Sequence, residues 1–140
     1  MMVFSASTLA STAATSPREM RSFTFGAASG PFKGRNRIVY DDLNFSTVHY
    51  VWQEQARRGA EVVVVKSEDG IHPPVDKLLA AIDERTLLVP ISHVLFRSSY
   101  VLDAERVAKR AKAVGATLLL DVFQSAGTMP LRLADWGVDA

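Results

Sequence analysis

Thr117-Leu118-Leu119-Leu120-Asp121-Val122-Phe123-Gln124-Ser125-Ala126-Gly127 is the stretch that decides the fold. Its first four residues form a short apolar run of strand type, and the run ends on a carboxylate. A polar turn follows, with Gln124 three residues beyond Asp121 and Gly127 to bend the backbone. In an open parallel sheet, ligands bind in the crevice beyond the carboxyl ends of the strands. An acid at such an end is placed for chemistry, whereas inside a strand it would be a buried charge with a large desolvation cost. Two readings of Asp121 stand at this point: a ligand contact, or a cap for the turn that follows.

Working outward, the chain alternates between two periodicities. Arg37-Ile38-Val39-Tyr40-Asp41 reads as a strand, followed by a turn over Asp42 to Phe45. Ser46 or Thr47 can cap a helix running to Arg58, with Gly59 in the position past the end that glycine favours. Glu61 to Val65 places four valines in a row, which suits a strand covered on both faces. After a turn over Lys66 to Gly70, Pro73-Pro74 open a helix over Val75 to Ile82, with Leu78, Leu79 and Ile82 as its apolar stripe. Thr86 to Ser92 is a third strand, and Pro90 within it argues for a strand end or an irregular edge. Asp103 caps a helix carrying Ala104, Val107, Ala108, Ala111 and Val114 on one face, and Gly115 closes it. Residues Asp135 to Ala140 read as the entrance to another strand. Strand, helix, strand, helix, strand, helix, strand predicts an α/β fold: three αβα layers around a mostly parallel sheet. If the chain ends where a strand begins, the sheet has an unpaired edge there, which is an aggregation liability.

The bulk numbers set limits. The 140 residues suffice for one domain, and 48% hydrophobic content supports a packed core. Net charge is +1, from 16 basic and 15 acidic residues, so whole-chain charge argues neither for nucleic acid nor for an anionic membrane surface. There is no cysteine, which excludes disulfides, thiolate metal sites and a cysteine nucleophile. No apolar run approaches the ~20 residues of a membrane-spanning helix. Residues 1–37 are rich in Ser, Thr and Ala and hold one acid, Glu19, beside five Arg or Lys. Organelle transit peptides share that composition. The competing reading is a helix over residues 1–16, capped by Ser5 or Ser7 and broken before Pro17, then an irregular Gly/Ser/Pro/Arg-rich segment. The expected domains are residues 1–34, helix and irregular loop, and residues 35–140, the α/β unit.

Three loops leave carboxyl ends of strands and should converge on one crevice: Asp42 to Thr47, Ser92 to Ser99, and Asp121 to Ser125. Together they offer aromatic rings, a carboxylate, an amide, a histidine, an arginine and hydroxyls. Such a set can hold a planar, charged heteroaromatic ligand, with a ring to stack on it and a carboxylate for a protonated ring nitrogen. No metal cluster and no glycine-rich nucleotide loop follows any strand, which disfavours a dinucleotide-binding module. His93 either lines the pocket or satisfies buried backbone groups. His49 and His72 read as surface residues, Arg97 as a solvated loop residue, and Tyr50 and Trp52 as core or interface packing. The run Glu105, Arg106, Lys109, Arg110, Lys112 reads as a solvated helix face.

Asp121-Val122-Phe123-Gln124-Ser125-Ala126-Gly127, preceded by Ser92-His93-Val94, resembles the class V aminotransferases, which are fold-type I enzymes dependent on pyridoxal 5′-phosphate (PLP). Asn44-Phe45-Ser46-Thr47 with Tyr50 resembles the kynureninase-like branch most. The resemblance runs from about Arg35 onward and covers part of the large domain of such an enzyme. It implies that Asp121 pairs with the pyridinium nitrogen, that Gln124 contacts the 3-oxygen, that Phe45 stacks on the ring, and that Ser92 and His93 line the pocket. It places Ser5, Ser7 and Thr8 where the family has a phosphate-binding loop at a helix N-terminus, a position whose free N–H groups attract anions. That placement favours the helix over the transit peptide, and hence the cytoplasm. It implies an amino-acid-like substrate and a homodimer for the full-length parent.

Departures limit the resemblance. No lysine follows Lys112, so the Schiff-base lysine that the family places beyond the aspartate is missing, and the substrate-binding arginine of the family's C-terminal domain is missing too. Val48 stands where true kynureninases have an aspartate, Ser98-Ser99 replaces the usual Thr-Gly, and Phe96 sits where desulfurases have an asparagine. The expectation is a fragment of a PLP enzyme, inactive alone. The alternative is a non-catalytic remnant without stable cofactor binding.

Overall fold

The computed structural model describes residues 34–140. Eight elements follow in order: β1 (Arg37–Asp41), α1 (Ser46–Ala56), β2 (Glu61–Val65), α2 (Val75–Ala81), β3 (Thr86–Ser92), α3 (Ala104–Val114), β4 (Thr117–Asp121) and α4 (Leu133–Trp136). The four strands form one sheet in the order β2-β1-β3-β4, and every pairing is parallel. This is the α/β architecture expected from the alternation of periods. The strand order reverses direction between β1 and β3, so their carboxyl ends flank the switch point where such sheets bind ligands.

Burial explains why these segments became strands. Ile38, Val39, Tyr40, Leu88, Val89, Ile91 and Leu118 are essentially inaccessible, and they come from the three strands on the β1, β3, β4 side. β2 differs from the expectation of full coverage. It is the outer strand, and all five of its residues are half-buried. Pro90 is a second departure. It lies inside β3, a central strand, opposite Leu119. A central strand accepts it because the β1–β3 pairing is already irregular: the register shifts between Arg37 and Ile38, and paired residues stop at Ile38 and Leu88.

The helices fasten to this sheet through the stripes their spacing dictates. Ala104, Val107, Ala108, Ala111 and Val114 of α3 are all buried, as is Leu78 of α2, while Leu79 is only half-buried. The Asp103 side chain accepts the backbone N–H of Arg106 at 3.0 Å, and Gly115 closes α3 with φ of 70°. Removing that cap with Asp103→Ala is expected to lower stability by about 1 kcal/mol, read as a shifted urea midpoint at unchanged slope. α1 departs from its expected capping. Phe45 holds the N-cap position and no side chain caps the helix. The charged face of α3 is also not wholly solvated. Arg110 donates to the carbonyls of Leu79 (3.3 Å) and Ile82 (2.6 Å), which closes the C-terminal end of α2, and Arg106 donates to Asp76 at 2.7 Å. At the opposite end of the sheet, Arg37 ties β1 to Glu61 (2.7 Å) and Asp83 (2.6 Å).

After β4 the chain turns through α4 and then reaches the outer edge of that strand. Ala140 donates to the Leu118 carbonyl (3.3 Å) and accepts from the Leu120 N–H (2.8 Å), a parallel ladder pattern, while Asp139 accepts the Leu118 N–H at 2.8 Å. The expected strand entrance is there, shorter than expected and preceded by a helical turn. The edge of β4 is therefore covered over these residues and not bare.

Candidate functional site

The carboxyl ends of β1, β3 and β4 deliver Asp41, Ser92 and Asp121. Their backbones are tied across the sheet: Ser92 pairs with Asp121, and the His93 N–H donates to the Asp121 carbonyl at 2.9 Å. The turn after β1 brings Asn44 to the same place. The Asn44 amide nitrogen donates to the Asp41 carbonyl (3.1 Å) and carboxylate (3.3 Å), and its oxygen accepts from the Ser92 hydroxyl at 2.9 Å. The Ser92 hydroxyl lies 3.5 Å from Asp121 Oδ2. Four side chains from three strand ends thus form one chain of contacts, with Asp121 as its outermost member.

Of the two readings of Asp121, the turn cap is present in the structure. Oδ1 accepts the Phe123 N–H at 2.9 Å, which is the turn-capping role. Oδ2 has only the long Ser92 contact among the described residues. Asp121 is half-buried, so a partner can reach it.

His93 is buried. Its Nδ1 lies 2.9 Å from the Ser125 hydroxyl, and its ring lies 5.3 Å from that of Trp136. Burial lowers its pKa below the ordinary value, because the charged ring is poorly solvated there. It locks the turn after β4 against the β3 loop. Phe45 is exposed and meets Phe96 edge to face at 5.0 Å, and Arg97 stands 5.3 Å from the Phe96 ring. Gln124 is exposed, and its backbone carbonyl accepts from the Thr128 hydroxyl at 3.2 Å. Ser5, Ser7 and Thr8 lie outside the described residues. His49 is not the free surface residue expected, because its Nδ1 lies 2.9 Å from the buried Tyr40 hydroxyl. His72 is exposed as expected and lies 2.6 Å from Asp69. Trp52 is buried as expected, but Tyr50 is 70% exposed and is not core.

Two site residues escaped the sequence reading. Asp41 was only a strand end and Asn44 only part of a motif, yet both are buried and join the Asp121 contacts. The signal was the doublet Asp41-Asp42 closing an apolar strand: one of two consecutive acids must point inward. The β3 loop adds a strained residue. Ser99 adopts φ of 56°, the left-handed region. Ser99→Gly is expected to raise stability by roughly 0.5–1 kcal/mol, measured by thermal unfolding, since the left-handed penalty exceeds the entropic cost of glycine.

The parallel sheet, with Asp121, Ser92 and Asp41 at its carboxyl ends, defines an α/β domain. The chain belongs to the class V aminotransferases: the Aminotransferase class-V family model matches residues 14–140. It is 36% identical over 106 residues to the uncharacterized aminotransferase YcbU of Bacillus subtilis, covering 76% of this chain and 28% of that protein. It is 32% identical over 110 residues to the kynureninase of Geobacillus thermodenitrificans, covering 75% of this chain and 26% of that one. The chain therefore spans little more than a quarter of the length of these relatives. The fold matches that of the cysteine desulfurase CsdA from Escherichia coli, with a TM-score of 0.69 at 18% identity over 86% of this chain and 31% of that one. It also matches a C-DES variant described with glycine covalently linked to its PLP cofactor, with a TM-score of 0.64 at 21% identity over 74% of this chain and 29% of that one.

Proposed function

We propose that this chain is the cofactor-cradling part of a PLP-dependent enzyme of the class V aminotransferase and kynureninase-like type, acting on an amino-acid-like substrate. The observation that carries this reading is Asp121, with Oδ1 fixed by the Phe123 N–H and Oδ2 left to a partner. A carboxylate so held can pair with a protonated ring nitrogen through a charge-assisted hydrogen bond. Phe45, exposed beside Phe96, offers a stacking ring, and the exposed Gln124 offers an amide for a ring substituent. Buried His93 holds Ser125 and so fixes the turn that follows Asp121. Ser7 and Thr8 are the candidate phosphate contacts. When bound, PLP supplies an electron sink for negative charge developing on the substrate. The protein's part is to fix the ring, keep its nitrogen protonated and exclude water from one face.

Residues 113–140 contain no lysine to form a Schiff base, so this chain alone is inactive. The parent enzyme is a cytoplasmic homodimer with the other half of the site elsewhere in its sequence. The test is titration of the chain with PLP, followed by absorbance before and after borohydride treatment. A saturable spectral change with no stoichiometric covalent adduct is expected. A stoichiometric adduct would contradict the missing lysine. No spectral change at all would support a non-catalytic remnant, a second reading favoured by that same absence of lysine.

A further inference from the structure

Asp41 is 1% exposed, and no lysine, arginine or histidine pairs with it among the described residues. A buried carboxylate without a cation is costly and calls for a role. Its two oxygens are used differently. Oδ1 accepts the Leu43 N–H at 3.0 Å, which fixes the side chain, and Oδ2 faces the Asn44 amide nitrogen at 3.3 Å. That nitrogen also donates to the Asp41 main-chain carbonyl, so the amide has one orientation, with its oxygen turned to Ser92. Ser92 has one hydroxyl proton and two acceptors in reach: Asn44 Oδ1 at 2.9 Å and Asp121 Oδ2 at 3.5 Å. The proton goes to the nearer one.

We infer that Asp41 is a positioning residue: by fixing the Asn44 amide it draws the Ser92 proton to Asn44 and leaves Asp121 Oδ2 undonated, free for a cationic ring nitrogen. The inference deepens the cofactor reading above and rests on it for the purpose of Asp121. The relay itself does not depend on it. Were Asn44 reversed, its nitrogen would face Ser92, and the hydroxyl would turn to Asp121 and occupy the oxygen that a ligand needs.

Asp41→Asn makes this hold testable at constant shape. The Leu43 N–H demands an acceptor, so the new amide oxygen takes the Oδ1 place and the new NH2 faces the Asn44 NH2. Two donors then face each other, the Asn44 amide keeps only its main-chain acceptor, and its hold on the Ser92 proton weakens. The experiment is carbon-13 NMR of the labelled full chain above neutral pH, reading the Asp121 side-chain carboxyl signal. Asp41→Asn is expected to move that signal in the native background, and to leave it unmoved when Ser92→Ala is already present. An unmoved signal in the first comparison, or an equal movement in both, would overturn the relay. If the variant fails to fold, Asp41→Ala serves the same comparison, since it also removes the carboxylate oxygen that faces the Asn44 amide. PLP titration of the same samples separates the two ideas. A chain that shows the Ser92-dependent movement but does not perturb PLP keeps the relay and loses the cofactor reading. A chain that binds PLP without that movement does the reverse.

Discussion

Asp121→Asn is expected to weaken PLP binding by roughly ten- to a hundredfold and leave the fold intact. Asparagine keeps an oxygen for the Phe123 N–H, so the turn after β4 survives. It replaces the outward oxygen by an NH2, which donates where the ring nitrogen must also donate. Hydrogen bonds to charged groups contribute about 1.5–3 kcal/mol, and each 1.4 kcal/mol is a factor of ten in affinity. Fluorescence or absorbance titration of both proteins measures the ratio, and thermal unfolding checks the fold. Equal affinities would remove Asp121 from the ring contact. Asp121→Ala is the companion, and it should lose affinity and also about 1 kcal/mol of stability, because the Phe123 N–H then lacks its acceptor.

Asp41→Asn is expected to stabilise the chain at neutral pH by roughly 1–3 kcal/mol. Burial raises the Asp41 pKa from 3.8 to about 6, against smaller opposing effects of backbone hydrogen bonds. The folded state therefore binds a proton more readily than the unfolded chain. Stability from this group is present below the unfolded value and declines as pH rises toward about 6. Above that, the ionised form carries the whole penalty, an upper bound of about 3 kcal/mol from a shift near two units at 1.36 kcal/mol each. The contact between the two amide nitrogens offsets part of the gain, since Asn44 loses its acceptor at the former Oδ2. Urea midpoints of native and variant chains across the acid range give the test. The native chain should lose stability as pH rises through this window, and the variant should show a flatter profile. A variant less stable at neutral pH would mean that the Asp41 charge is held by contacts stronger than those described.

The strand and helix sequence was legible because each apolar run matched one period, and the α3 stripe came out residue for residue. Pro90 misled because the rule against proline in central strands assumes a regular ladder on both sides, and here the β1 side is irregular. The valines of β2 misled because composition reports tolerance of burial, while sheet order decides how much burial occurs. At the strand ends, the loop positions of Asp121, Ser92 and His93 could be read from the order of elements. The Asp41 to Asn44 contact could not, since it depends on which of two adjacent acids turns inward. The charged face of α3 likewise gave no hint that Arg110 reaches across to the end of α2.

The coverage of β4 by residues 139 and 140 gives the sheet a direction for association. On that side Leu118 and Leu120 already spend their outward backbone groups on Ala140 and Asp139. On the other side, β2 has a partner only on its β1 flank among the described residues, and Val62 to Val65 are half-buried, β-branched and uncharged. Among the described residues, the open backbone edge of the sheet is therefore that of β2. A charge placed on the outward face of that strand, and not at the end of β4, is the change that keeps concentrated solutions of the chain clear.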